Sequence, residues 1–256
     1  SGIVRAHAAA KGAGLKKLII GSELRLRSGR KLVALAQNIS GYAALCQLIS
    51  NARRAAEKGH YELTRLDFEG GLPGCLVLWI PDNDLTLDVE DHWIRETFRD
   101  RLWIAVELLA DGRQREQLEK LREEGRRLKL PLVASGDVHM HVRARRILQD
   151  TVTAIRAGMT VDTAGFALYS NGERHLRSRA VLAHAYPADL LAESVRIADS
   201  IHFALDELCY EYPDELVPNG ETAGTYLRKL TEEGMQRRWP NGTPAKVVAL
   251  VEHELK

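Results

Sequence analysis

The sequence predicts a parallel α/β fold. Three observations carry it. Short apolar runs alternate with helical patterns from about residue 15 to 158. The runs are continuous rather than alternating, as expected where helices cover the outer face of the strands. The length of 256 residues suits one large α/β barrel, or one domain plus part of another.

The elements follow in order. Ile3, Val4, Ala6 and Ala10 mark a first helix, which Gly12 and Gly14 break. LKKLIIGSELRL reads as a first strand centred on Leu18-Ile19-Ile20, with Gly21-Ser22 opening a turn before Glu23. KLVALAQN (31–38) reads as a second strand. In 41–59, Leu45, Leu48 and Ile49 recur at helical spacing and Gly59 closes the helix. GCLVLWIPD (74–82) is a third strand stopped by Pro81; a helical stretch near 87–100 leads into a fourth, LWIAVELL (102–109). Residues 113–128 form a charged amphipathic helix on Leu118, Leu121 and Leu128. LPLVASGD is the fifth strand and 144–158 a helix.

Beyond residue 160 the alternation fails. A helix is expected over 188–205, an extended, proline-interrupted linker over 209–221, and two helices over 222–239 and 243–256. Thr222 and Thr243 are candidate N-caps, and Pro244 suits a first helical turn. A chain that opens on a helix and stops at a lysine in mid-helix reads as cut from something longer. An incomplete barrel would expose strand edges, so aggregation is expected.

Composition excludes several classes. The formal net charge is +1, so no global field draws the chain to nucleic acid; local patches would have to do so. No apolar run is long enough for a bilayer, and the first residues lack the apolar core of a signal peptide. Cys46, Cys75 and Cys209 are odd in number and far apart, which argues against a disulfide framework and for a cytoplasmic setting.

The stretch LPLVASGDVHMH places Asp137, His139 and His141 at alternate positions just beyond a predicted strand. Such a triplet is either a metal site or a polar loop satisfied by water. Sites in parallel α/β folds lie at the carboxyl ends of strands, and Glu23 also sits past one, so Glu23, Asp137 and His139 are expected at one rim.

Five segments, in order, resemble a known family. GLKKLIIGSELRL, KLVALAQNISGYAALCQLIS, LPLVASGDVHMHVRARRILQDTVTAIRAG, ERHLRSRAVLAHAYPADLLAESVRIAD and YEYPDELVP look like the N-terminal part of a bacterial C-family DNA polymerase, of polymerase III alpha-subunit type. VASGDVHMH, ERHLRS and LCYEYPDELVP are most similar to its error-prone branch, which takes part in translesion synthesis and damage-induced mutagenesis. The resemblance implies a distorted, incomplete TIM-like barrel of the polymerase-and-histidinol-phosphatase (PHP) type over residues 1–206, lacking its first strand and first metal motif. Residues 207–256 would be the linker and first helices of the palm region. The parent would extend a DNA primer on a template from deoxynucleoside triphosphates with Mg2+. The palm carboxylates that hold that magnesium fall outside this chain, so no polymerase catalytic residue is assigned. Mutagenesis accessory proteins and a sliding clamp are the further partners implied, and no membrane.

Family members with an intact barrel site hold up to three metals, and some hydrolyse phosphodiesters. Carried over by position, Glu23, Asp137 and His139 match metal-ligand positions, which implies a remnant site for Zn2+ or Mn2+. The departures oppose it. Lys31 stands where the family has a histidine, Ile80-Pro81 where it has a cysteine, and Cys75 lies at the other end of that strand. Lys31 could replace one metal as a salt-bridge partner of Glu23. Three functions follow: a largely structural segment of a polymerase, a free-standing metal-dependent phosphoesterase, or a non-catalytic interaction module.

Other features divide in the same way. Arg53-Arg54, Arg126-Arg127-Lys129, Arg143/Arg145/Arg146, Arg174/Arg177/Arg179 and Arg237-Arg238 are either phosphate contacts or solvated faces. Trp79 and Trp103 read as core; Trp93 and Trp239 are open. His141 reads as an exposed loop or helix-start residue. Ser135 beside His139 lacks a nucleophile elbow. Glu107 and Asp150 are acids in apolar surroundings, each a candidate base or a plain polar position.

Overall fold

The strand assignments turn on a hairpin. Ile20, Leu24 and Leu26 are buried while their neighbours face outward, the period-2 pattern of a strand with one covered face. In the computed structural model, which describes residues 2–82, 85, 92–209 and 217–255, β1 is Gly21–Arg25 and β2 is Lys31–Ala36. They pair antiparallel, Glu23 opposite Val33 and Arg25 opposite Lys31. Gly29, at φ +93°, turns the chain between them. The first strand therefore lies later than the Leu18-Ile19-Ile20 run suggested, and its partner is antiparallel.

β3 (Cys75–Ile80) pairs antiparallel with β2, then parallel with β4 (Leu102–Glu107), which pairs parallel with β5 (Leu132–Ser135). The result is an open five-stranded mixed sheet in the order β1-β2-β3-β4-β5. The expected α/β class is met, with the parallel pattern confined to β3–β5.

Ten helices accompany the sheet among the described residues. α1 spans Gly2–Gly12, α2 Ile39–Arg54, α3 His92–Phe98, α4 Gln114–Leu128 and α5 Arg146–Arg156. α6 spans Val161–Ala164, α7 Arg179–Ala185, α8 Ala188–Ser200, α9 Ala223–Arg238 and α10 Ala245–Glu254. α6 and α7 were not anticipated, and the expected helix over 188–205 stops at Ser200, where Ile201 turns extended. The linker over 209–221 and the helical stretch near 87–100 fall partly outside the described residues.

Caps set the helix starts. Asn38 accepts a bond from the Gly41 amide at 2.9 Å, so α2 begins two residues before Gly41. Thr222 caps α9 as expected, accepting from the Thr225 amide at 3.2 Å. At α10 the N-cap position is Pro244, not Thr243.

The main core joins Leu32, Ala34, Val77, Trp79, Ile104 and Val106 of the sheet to Leu45 and Leu48 of α2 and Leu121 and Leu128 of α4. Leu76 and Val133 pack instead with Ile197 of α8 and Ile201. Helices thus cover both faces, and β3 is buried almost throughout. The chain divides into two compact units, Ser1–Leu208 and Cys209–Lys256. No helix among the described residues is long and apolar enough to cross a membrane.

Candidate functional site

Glu107 and Ser135 lie side by side at the carboxyl ends of β4 and β5, so the two strands share a rim. Beyond Ser135 the chain turns sharply, and Asp137 takes a left-handed φ of +40°. A residue with a β-carbon seldom adopts it, although aspartate does so more readily than most.

Side-chain bonds hold it there. Asp137 Oδ2 accepts from Arg174 Nε at 2.6 Å, and Oδ1 accepts from His139 Nε2 at 2.9 Å. His139 Nδ1 accepts from Gln149 Nε2 at 2.9 Å, which puts the imidazole proton on Nε2 and aims it at the carboxylate. The Arg174 guanidinium lies 4.0 Å from the centre of the Tyr169 ring, and His139 meets that ring edge-on at 5.2 Å.

The backbone pins the same loop. The amides of His139 and Met140 both donate to the Arg174 carbonyl, at 2.9 and 3.1 Å, and Leu176 donates to the Met140 carbonyl at 3.0 Å. Arg177 donates from Nη1 to the Leu108 carbonyl at 2.9 Å and from Nη2 to the Tyr186 hydroxyl at 3.1 Å. That buried hydroxyl donates to the Ser135 carbonyl at 2.6 Å and accepts from the Leu108 amide at 3.0 Å. One tyrosine therefore ties together the ends of β4 and β5.

The electrostatics centre on Glu107. Burial pushes its carboxyl up to about 7; the negative charge of Asp137 adds to the rise, Arg174 and Lys31 oppose it, and Glu23 adds a little more. Burial also pushes Asp137 upward, but its bonds to Arg174 and His139 outweigh this and hold the carboxyl below its ordinary value. Glu23, Lys31 and Asp137 thus all act on one half-buried carboxylate. Lys31 forms no ion pair with Glu23 among the described residues; its field falls on Glu107 instead.

Of the three candidate ligands, the structure joins Asp137 and His139 directly, while Glu23 shares only the field around Glu107. Among the described residues no three His, Cys, Asp or Glu side chains gather as a metal ion requires. Both Asp137 oxygens and both His139 nitrogens are engaged within the protein. As they stand these residues do not fit a zinc or manganese cage. With both nitrogens taken, His139 does not serve Ser135 as a base either. His141 is exposed. Cys75 is buried, its thiol pushed up to about 11 by burial, and it donates to the Gly41 carbonyl.

Several other readings resolve. Arg174 and Arg177 turn inward to carboxylate, carbonyl and hydroxyl groups rather than facing a phosphate. Arg115 and Lys120 pair with Glu119 and Glu116 on the exposed side of α4, the solvated-face alternative, while Arg127 pairs with the buried Glu124. Trp79 is fully buried, Trp93 packs with Phe68 and Phe98, and Trp103 donates to Glu193. Asp150 pairs with Arg146 at 3.4 Å. Sequence reasoning did not find Gln149 or Tyr186.

No family model matches the chain. Over its whole length it is 52% identical, across 260 residues, to a protein of Dechloromonas aromatica named error-prone DNA polymerase. It is 50% identical over 256 residues to the protein of that name from Pseudomonas fluorescens, and 49% over 256 residues to that from Pseudomonas aeruginosa. The chain spans about a quarter of the length of these relatives, 25%, 25% and 24%.

Proposed function

We propose, from homology over the whole chain to error-prone DNA polymerases, that this is a segment of such an enzyme of the bacterial C family, and that it acts there as a structural platform. Identity near 50% to proteins of that name supports the parent. The observation that supports the role is the saturation of Asp137 by Arg174 and His139. Residues 1 to about 206 are read as the PHP-type domain, the open sheet being an arc of its distorted barrel. Residues from about 207 are read as the approach to the palm. Primer-template DNA and deoxynucleoside triphosphates would be engaged by the longer protein, whose magnesium-binding carboxylates lie elsewhere. In this reading Glu23, Asp137 and His139 keep the placing of a metal site but serve as a hydrogen-bonded rim.

The test is primer extension by a longer polymerase carrying this segment. His139→Gln should leave the extension rate within about twofold, since no proton transfer is assigned to it. A loss of about 100-fold or more in a normally folded protein, the scale of a lost acid or base, would place catalysis at the rim. Extension of a primer by the 256-residue chain alone would contradict the assignment of catalysis elsewhere.

A further inference from the structure

Helix α5 carries its apolar side outward. Its buried residues are Thr153 and Ala154, with Arg146, Gln149 and Asp150 half-buried beside them. Ile147, Leu148, Val152 and Ile155 are instead 80, 53, 56 and 71% exposed. Leu148, Val152 and Ile155 recur at i, i+4 and i+7 on one stripe of the helix, and Ile147 borders it. The four aliphatic side chains therefore form one continuous face. Single exposed leucines are ordinary, but a whole helical face of them marks a surface made to be covered.

A groove of about 470 Å³ opens beside this face, lined by Leu148 and Val152 together with Met140, His141, Arg145 and Arg156. Its charge is one-sided. Arg143 is paired with Glu173 and Arg146 with Asp150. Arg145 and Arg156 are exposed and make no ion pair among the described residues. They flank α5 at its two ends, about 16 Å apart by helical rise.

We propose that this face docks a helix of another protein whose apolar stripe is bordered by glutamates or aspartates. The stripe fills the groove over Leu148 and Val152 and covers Ile147 and Ile155, and the acids meet Arg145 and Arg156. A single nucleic-acid strand matches the surface less well, because stacking needs open ring faces. The exposed groups here are aliphatic, and the ring at the groove, Tyr169, has Arg174 over it and His139 at its edge. His139, Gln149 and Tyr169 of the Asp137 network also line the groove, but Ile147, Leu148, Val152, Ile155, Arg145 and Arg156 take no part in that network, so the proposal does not depend on the polymerase reading.

The test is fluorescence anisotropy with the full 256-residue chain and three probes. These are a synthetic helical peptide with leucines on one face and glutamates beside them, the same peptide with lysines for glutamates, and a single-stranded oligothymidylate. The glutamate peptide should bind at least about tenfold more tightly than the lysine peptide. Ile155→Glu and Arg156→Glu should each weaken it by about tenfold or more with unchanged circular dichroism. Equal binding of the two peptides, or no binding at about 1 mM peptide, would overturn the proposal. So would tighter binding of the oligothymidylate lost in Ile155→Glu, or a dimer of the chain that Ile155→Glu dissolves. Loss of peptide binding when the segment sits within a longer polymerase would place that polymerase's own chain on the face and overturn the assignment to another protein.

Discussion

Asp137 holds a left-handed backbone conformation because three groups, Arg174, His139 and through it Gln149, converge on its carboxylate. Removing Arg174 leaves a half-buried charge without its shorter bond. Arg174→Met should therefore cost about 2–3 kcal/mol in urea unfolding. Adding Asp137→Asn, which keeps the turn-tolerant side chain and removes the charge, should recover part of that loss. Glu107 gives a pH dependence of its own. Its folded carboxyl is raised from 4.5 to about 7, so the folded state holds more protons than the unfolded one between those values. Its contribution is fully present at the acid end and is lost as pH rises through about 7. Glu107→Gln should be more stable than the parent by about 2 kcal/mol at pH 8 after allowance for screening, with the difference vanishing near pH 4. Asp137 runs the other way: its contribution is present above the ordinary carboxyl value and fades as pH falls through the lowered one. A Glu107→Gln stability profile parallel to the parent's across this range would remove Glu107 from the centre of the rim.

At the scale of elements, close approach and shared hydrogen bonds set the arrangement. A β-carbon on Gly41 would lie 1.9 Å from the Gly74 carbonyl oxygen, so Gly41→Ala should destabilise by about 3 kcal/mol through overpacking of α2 against the start of β3. Tyr186→Phe removes one hydroxyl bonded to Ser135, Leu108 and Arg177, and should cost about 2 kcal/mol in the same assay. Much of this architecture was legible in the chain. The apolar runs of β3, β4 and β5 and the leucine spacing of α2 and α4 report burial locally. The hairpin was not, because Leu18-Ile19-Ile20 looks more strand-like than the half-polar SELRL that pairs with β2. Arg174 and Arg177 looked like phosphate ligands because a basic run shows no direction; their partners lie 37 and 69 residues away, at Asp137 and Leu108. The alternation of Asp137 and His139 was readable, but their closure on Arg174 and Gln149 depends on tertiary folding. The outward apolar face of α5 was hidden for the same reason, since a sequence shows that a helix is amphipathic but not which side faces the core.

For the whole molecule, the sheet is open, and its edge strands β1 and β5 have five and four residues, short enough to limit pairing with other chains. The first compact unit carries the rim and the second holds α9 and α10. Asp137 and His139 take their partners from within the protein, so no metal is expected to stabilise the fold. Anything that binds the folded state raises its stability in proportion to the logarithm of its excess over Kd. The most direct measurement is thermal unfolding of the 256-residue chain after chelation, compared with the same sample given excess Zn2+ or Mn2+. One midpoint is expected under all three conditions. A rise of several degrees, about 2 °C or more per kcal/mol for a chain of this size, that disappears in Asp137→Asn would contradict it.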